Sequence, residues 1–191
     1  MSFVSRWSAA ALRPSVIPEL TTERLLLRGL RADDLDAYAR MYADPDVMRF
    51  LEDGRPLDRA AAFRSMAIHL GHWRLRGYGQ WALEDRATGE LVGRAGLWQP
   101  EGWPGLEVGW LLNRGSWGHG FATEAGRAAI EFAFGELGAA EVISLIKPEN
   151  DASIRVAERL GESYRGTVDL AGVRVSVYRL ELSSRPTRPR R

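Results

Sequence analysis

Two glycines around a histidine, Gly118-His119-Gly120, run directly into Phe121-Ala122-Thr123-Glu124-Ala125. Glycines let a chain turn tightly and let a ligand approach the backbone. If a helix starts at Phe121, the N–H groups of Gly120 to Thr123 are unpaired donors at the positive end of its dipole. An anion bound there satisfies both demands. Such a site works through the main chain, so it needs small residues more than charged ones. The stretch is not a P-loop, because no Gly-Lys-Ser/Thr follows. It is not a dinucleotide fingerprint either, because the third glycine and the distant acidic residue are missing. Taken alone, it fits an ordinary strand-to-helix turn equally well.

Other reactive side chains are few. The chain has no cysteine, which excludes disulfides, thiolate metal sites and a thiol nucleophile and fits a reducing cytoplasm. His69, His72 and His119 lack metal-ligand spacing. His69 and His72 can share a helix face, but zinc would need further ligands. The histidines read as solvated or capping residues, and no metal is expected.

The elements around the glycines are short and alternate in type. Leu106 to Leu112 is apolar and β-prone, and the pattern from Phe121 to Leu137 is helical. Its polar stripe is Glu124, Arg127 and Glu131. Ala122, Gly126, Ala129, Ala133 and Leu137 point the other way and are small enough to bring a helix close to a sheet. Upstream, Arg24 to Leu30 reads as a strand covered on both faces, and Asp33-Asp34 opens a helix ended by Asp44-Pro45. A short helix over Val47 to Leu51 follows, then a longer one from Leu57 to Arg76 with Ala61, Met66, Leu70 and Trp73 inward. Gln80 to Asp85 and Leu91 to Trp98 form a hairpin, and Gly93 and Gly96 inside it signal a bulge or close packing. Downstream come a strand from Ala140 to Lys147, a helix from Asn150 to Leu160 stopped by Gly161, and a hairpin of Glu162 to Leu170 with Val173 to Leu182.

At 191 residues, 45% hydrophobic and 27% charged, the chain suits one globular α/β domain. A net charge of +1 demands neither nucleic acid nor an acidic membrane. No apolar run approaches the roughly 18 residues that cross a bilayer. The expected organisation is an irregular lead-in over residues 1–19, a domain over 20–182 and a disordered basic tail over 183–191. The Ala9-Ala10-Ala11-Leu12 patch in the lead-in is too short for a signal-peptide core. A cytoplasmic location is expected.

Four pieces, in order, carry a resemblance. They are Thr22-Glu23-Arg24-Leu25-Leu26-Leu27-Arg28; Glu107-Val108-Gly109-Trp110; Trp117-Gly118-His119-Gly120-Phe121-Ala122-Thr123-Glu124-Ala125; and Asn150-Asp151-Ala152-Ser153-Ile154-Arg155-Val156-Ala157-Glu158-Arg159-Leu160-Gly161. The chain resembles the GNAT superfamily of acyl-CoA-dependent N-acetyltransferases, and within it the ribosomal-protein N-terminal (Rim-type) branch. The superfamily loop usually begins with Arg or Gln where this chain has Trp117, a departure common in that branch. The resemblance implies a mixed central sheet of roughly seven strands with helices on both faces. It also implies that the strands at 106–112 and 140–147 splay into a V-shaped cofactor cleft.

The same resemblance assigns residues. Backbone groups near Leu111 and Leu112 should pair with the pantetheine arm of acetyl-CoA. Trp117, Gly118, His119, Gly120, Phe121, Ala122 and Thr123 should hold its pyrophosphate, and Asn150 should contact the cofactor while capping its helix. The implied reaction is direct attack by a primary amine, on a protein N-terminus or a small molecule. Glu107 is then the candidate base, or else a carboxylate buried against an arginine such as Arg94. Many relatives place a proton-donating Tyr seven residues after the Asn. Here that residue is Ala157, and Rim-type members suggest Ser153 as the substitute, unless it merely satisfies backbone in the first turn. Trp98 and Trp103 are candidates for an acceptor-pocket wall. The missing Tyr keeps open a second reading, a catalytically weak CoA-binding or regulatory module. Nucleic acid and membrane are not expected partners, and a second copy of the chain is retained as an option.

Overall fold

The computed structural model describes residues 17–51 and 53–182. The lead-in up to residue 16 and the tail from residue 183 lie outside the described residues. Eight strands form one sheet in the order β1-β2-β3-β4-β5-β6-β8-β7. They are β1 (Leu20–Thr21), β2 (Leu25–Arg28), β3 (Gln80–Asp85), β4 (Leu91–Trp98), β5 (Glu107–Leu112), β6 (Glu141–Ile146), β7 (Ser163–Leu170) and β8 (Val173–Glu181). β5 and β6 run parallel, and every other pairing is antiparallel. The strand beyond those read from the sequence is β1, too short to carry a pattern. Packing also starts before residue 20. Ile17 lies against the core, and the Pro18 carbonyl accepts the Trp81 indole N–H at 2.7 Å.

The helices are α1 (Leu35–Ala43), α2 (Pro45–Met48), α3 (Arg59–Arg76), α4 (Phe121–Gly135) and α5 (Asp151–Leu160). Asp58 caps α3 by accepting the Ala61 amide, and a left-handed Gly77 ends it. α1, α2 and the middle of α3 bury Tyr38, Tyr42, Met48 and Met66 against one face of the sheet, with Ala82 and Leu111. α4 buries Phe121, Ala125, Ala129 and Ala133 against the other face, with Val108 and Leu112. α5 follows on that second face, where Ala157 packs with Ile146 and Tyr178. Small residues decide how closely α4 and α5 lie, since a side chain at Gly126 would meet Leu160 at 2.7 Å.

Three inward assignments change. α3 buries Ala62, His69 and His72 where Ala61 and Leu70 were expected, and Leu137 is exposed beyond the end of α4. His69 and His72 are therefore neither solvated nor capping. Both pack on Trp98, His72 stacking at 4.4 Å between ring centres. His72 Nδ1 lies 2.9 Å from the Tyr78 carbonyl, and its Nε2 accepts the Gln99 amide at 3.1 Å. Burial pushes both imidazoles below their usual pKa, His69 far below. They act as neutral packing groups, which no periodicity distinguishes from surface histidines.

Candidate functional site

The glycine loop begins at a turn closed on itself. The Asn113 carboxamide oxygen accepts from both the amide and hydroxyl of Ser116, and the Trp117 indole N–H donates to the Leu112 carbonyl at 3.0 Å. Gly118 and Gly120 then take φ of +77° and +82°, conformations that L side chains rarely adopt. Gly120 caps α4 without any side-chain hydrogen bond. The first-turn amides of α4 are thus left to the groove alongside. That groove encloses about 1650 Å³. Leu111, Leu112, Trp117, Gly118, His119, Gly120, Phe121, Ala122, Thr123, Asn150 and Ser153 all line it, whereas Glu107 lies outside the lining. Arg24, Arg127, Arg155 and Arg159 border the same groove, together with the acidic Glu19, Glu23, Asp46, Glu124, Glu131 and Glu136, so its rim is of mixed charge.

Arg24 has a role that the sequence did not expose. Its guanidinium grips both the loop and the helix: Nη1 donates to the His119 carbonyl at 2.7 Å, and Nε donates to Glu124 at 2.8 Å. It also lies over the Phe121 ring at 4.8 Å. The Arg24 amide and the Thr22 hydroxyl donate to the other Glu124 oxygen, at 2.8 and 2.6 Å. Partial burial alone would raise the Glu124 pKa, but these Thr22 and Arg24 bonds outweigh it and lower it. An acidic residue in the first turn is thereby fully engaged and does not compete for an incoming anion. The signal was present, since Thr22-Glu23-Arg24 belongs to the resemblance, but its partner lies about 100 residues away.

The gap between β5 and β6 has an atomic cause. The strands pair at Glu107↔Ile143, where the Ile143 amide donates to the Leu106 carbonyl at 2.9 Å. One step further, a regular parallel ladder would join the Leu145 amide to the Val108 carbonyl. Two side chains take those groups instead. The Ser144 hydroxyl donates to the Val108 carbonyl at 2.8 Å, and the Leu145 amide donates to the Glu107 carboxyl. Both halves of the missing bond are satisfied, so the strands separate without leaving buried polar groups unpaired. On β5, Asn113 donates to Val92 and Leu111 lies opposite Arg94, so Leu111 turns its backbone toward β4. By alternation, the groups facing the gap belong to Trp110 and Leu112, and the Leu112 carbonyl is already held by Trp117.

Glu107 and Ser153 approach the gap from opposite faces of the sheet. Glu107 accepts the Trp103 indole N–H at 2.7 Å. Burial raises its pKa to about 7, against the lowering effects of that bond, of the Arg94 charge and of the Leu145 amide. Arg94 forms no direct ion pair with Glu107: its guanidinium binds the Tyr42 hydroxyl at 2.7 Å and the Gln80 carboxamide oxygen. Trp103 therefore positions the carboxyl, while Trp98 is occupied by the two histidines. On the other face, Asn150 caps α5 by accepting the Ser153 amide at 3.1 Å. Ser153 Oγ accepts the Trp110 indole N–H at 3.3 Å, which leaves its own proton free to donate. No group of His, Asp or Glu among the described residues is arranged to hold a metal.

Comparison with known proteins places this arrangement in a class. Residues 24–162 match the acetyltransferase (GNAT) domain model, so the chain belongs to the GNAT acetyltransferase family. It is an acyl-CoA-dependent N-acetyltransferase by that membership. It is 32% identical over 165 residues to the uncharacterized protein YkkB of Bacillus subtilis (strain 168), covering 84% of this chain and 94% of the relative. It is 29% identical over 149 residues to the uncharacterized N-acetyltransferase p20 of Bacillus licheniformis, covering 77% of this chain and 83% of that protein. The crystal structure of the acetyltransferase from Agrobacterium tumefaciens str. C58 superposes with a TM-score of 0.77 at 33% identity, covering 86% of this chain and 95% of that one.

Proposed function

We propose that this enzyme transfers the acetyl group of acetyl-CoA to a primary amine by direct attack. The observation that carries the reading is the continuity of one groove from the uncapped start of α4 to the open edge of β5 and Ser153. The diphosphate would lie on the amides of Gly118 to Thr123, between Arg24 and Arg127. The pantetheine arm would then run along Trp110 and Leu112 as a substitute strand. That course brings the thioester to the point where Glu107 enters the gap.

The chemistry follows from the side chains there. The ammonium must lose a proton before attack, and a carboxylate with a pKa near 7 is matched to that task at neutral pH. As the amine nitrogen bonds to the thioester carbon, the carbonyl oxygen gains charge that the gap-facing Trp110 amide would stabilise. Collapse breaks the carbon–sulfur bond and releases a thiolate. Ser153, with one lone pair occupied by Trp110 and one free, is placed to pass its proton to that thiolate and to take in return the proton that the attached nitrogen sheds.

We assign the Rim-type branch on the Trp117 loop and on Ser153 replacing the usual Tyr. That assignment favours an N-terminal peptide over a small amine. The test is a thiol-release assay with acetyl-CoA over a panel of amines and N-terminal peptides. Turnover of a peptide with a free N-terminus, and none of its acetylated counterpart, supports the reading. A chain that binds acetyl-CoA yet turns over no amine would support the CoA-binding module instead.

A further inference from the structure

Glu162 occupies a position meant for an apolar side chain. α5 ends at Gly161, whose φ is +91°, and the Glu162 amide donates back to the Ala157 carbonyl at 3.0 Å. In this helix ending the residue after the glycine usually packs a hydrophobic side chain against the last turn. Here a carboxyl is 4% exposed on the same face of the sheet as Ala157. One oxygen, Oε1, lies 3.0 Å from Ser144 Oγ, and Oε2 has no hydrogen-bond partner.

The hydrogens can be counted. Ser144 has one, and its shorter contact, 2.8 Å, is to the Val108 carbonyl, which can only accept. If that proton is committed to Val108, then the contact to Glu162 must be donated by Glu162. A carboxylic acid can do so, and a carboxylate cannot. Burial raises the Glu162 pKa to about 8, with the added repulsion of Glu107. An acid held neutral here also spares the buried Oε2 from carrying charge.

We propose that Glu162 is a positioning residue which, as a neutral acid, pins the Ser144 hydroxyl between β5 and β6 and so keeps the acyl-CoA cleft open. The Ser144 wedge occupies the Val108 carbonyl that the Leu145 amide would otherwise take. Without a donor behind it the hydroxyl is free to rotate, and the ladder can close one step into the gap. The role deepens the acetyl-CoA reading of the same groove and rests on it.

The test is acetyl-CoA binding by calorimetry, with steady-state kinetics, for the wild type, Glu162→Gln, Glu162→Leu, Ser144→Ala and the Leu/Ala double variant. Gln can still donate to Ser144, so Glu162→Gln should bind within about threefold of wild type. Glu162→Leu and Ser144→Ala should each bind about tenfold more weakly, the effect of one hydrogen bond lost at a buried pair. Acceptor KM should not move, and the double variant should be no worse than Ser144→Ala, because both changes remove one device. Leu suits the helix ending, so the thermal midpoint of Glu162→Leu should hold or rise while binding falls. Wild-type affinity in Glu162→Leu would overturn the proposal, as would equal losses in the Gln and Leu variants or additivity in the double variant. Should Glu162→Leu not fold, Glu162→Gln against Ser144→Ala decides the same point. A wild type that does not bind acetyl-CoA would refute the underlying reading rather than this one.

Discussion

Replacing Glu107 by glutamine removes the titrating group from the gap while keeping its shape, and the structure sets the size of two effects. Burial raises this carboxyl from 4.5 to about 7. In the unfolded chain it ionises near its ordinary value, so between those limits the folded protein holds a proton that the unfolded chain has released. Folding stability from this group therefore falls as pH rises through that window and stays low above it. The full penalty is about 3 kcal/mol, and partial exposure reduces it, so about 1 to 3 kcal/mol is expected. Glu107→Gln should accordingly gain that much relative to wild type on going from pH 5 to pH 8. Urea unfolding at the two values measures it. Activity moves oppositely. Loss of a general base should lower kcat/KM by roughly 10² to 10⁴. It should also abolish the acid limb near pH 7. A stability difference that does not change with pH, or an acid limb that survives in the variant, would refute the assignment of Glu107 as a buried base.

Arg24→Ala should raise acetyl-CoA KM about tenfold with little change in kcat, because it loosens the loop and frees the Glu124 charge; steady-state kinetics at saturating acceptor checks this. Ser153→Ala should lower kcat about tenfold and leave both KM values unchanged, and an unaltered kcat would reduce Ser153 to a first-turn residue. Trp103→Phe removes the bond that lowers the Glu107 pKa, so the acid limb of the kcat/KM profile should move to higher pH. Gly120→Ala places a methyl group at φ +82° and 3.4 Å from the Arg24 guanidinium. It should cost about 1 kcal/mol of stability and weaken acetyl-CoA binding, both readable in a thermal shift with and without ligand.

The glycine loop, the strand before it and the helix after it were legible because their signals are local. Gly118 and Gly120 adopt the positive φ that only glycine takes freely, and Asn150 caps α5 as its type and place imply. The buried set was read less well on α3, where His69 and His72 face inward. An imidazole looks the same in sequence whether water or Trp98 surrounds it. Trp98 itself, a candidate for the acceptor wall, is spent on those histidines, and Trp103 holds Glu107 instead.

Residue type and spacing along the chain determined seven of the eight strands, their order and the uncapped helix start at Phe121. They do so because backbone conformation depends on near neighbours. Tertiary structure alone decided three things. Arg24 closes on His119 and Glu124, Ser144 and Glu107 divide between them the hydrogen bond that β5 and β6 fail to make, and Glu162 is buried without a counter-ion. Each depends on groups brought together from distant positions, where burial sets hydrogen-bond partners and proton affinity, and no local pattern records either.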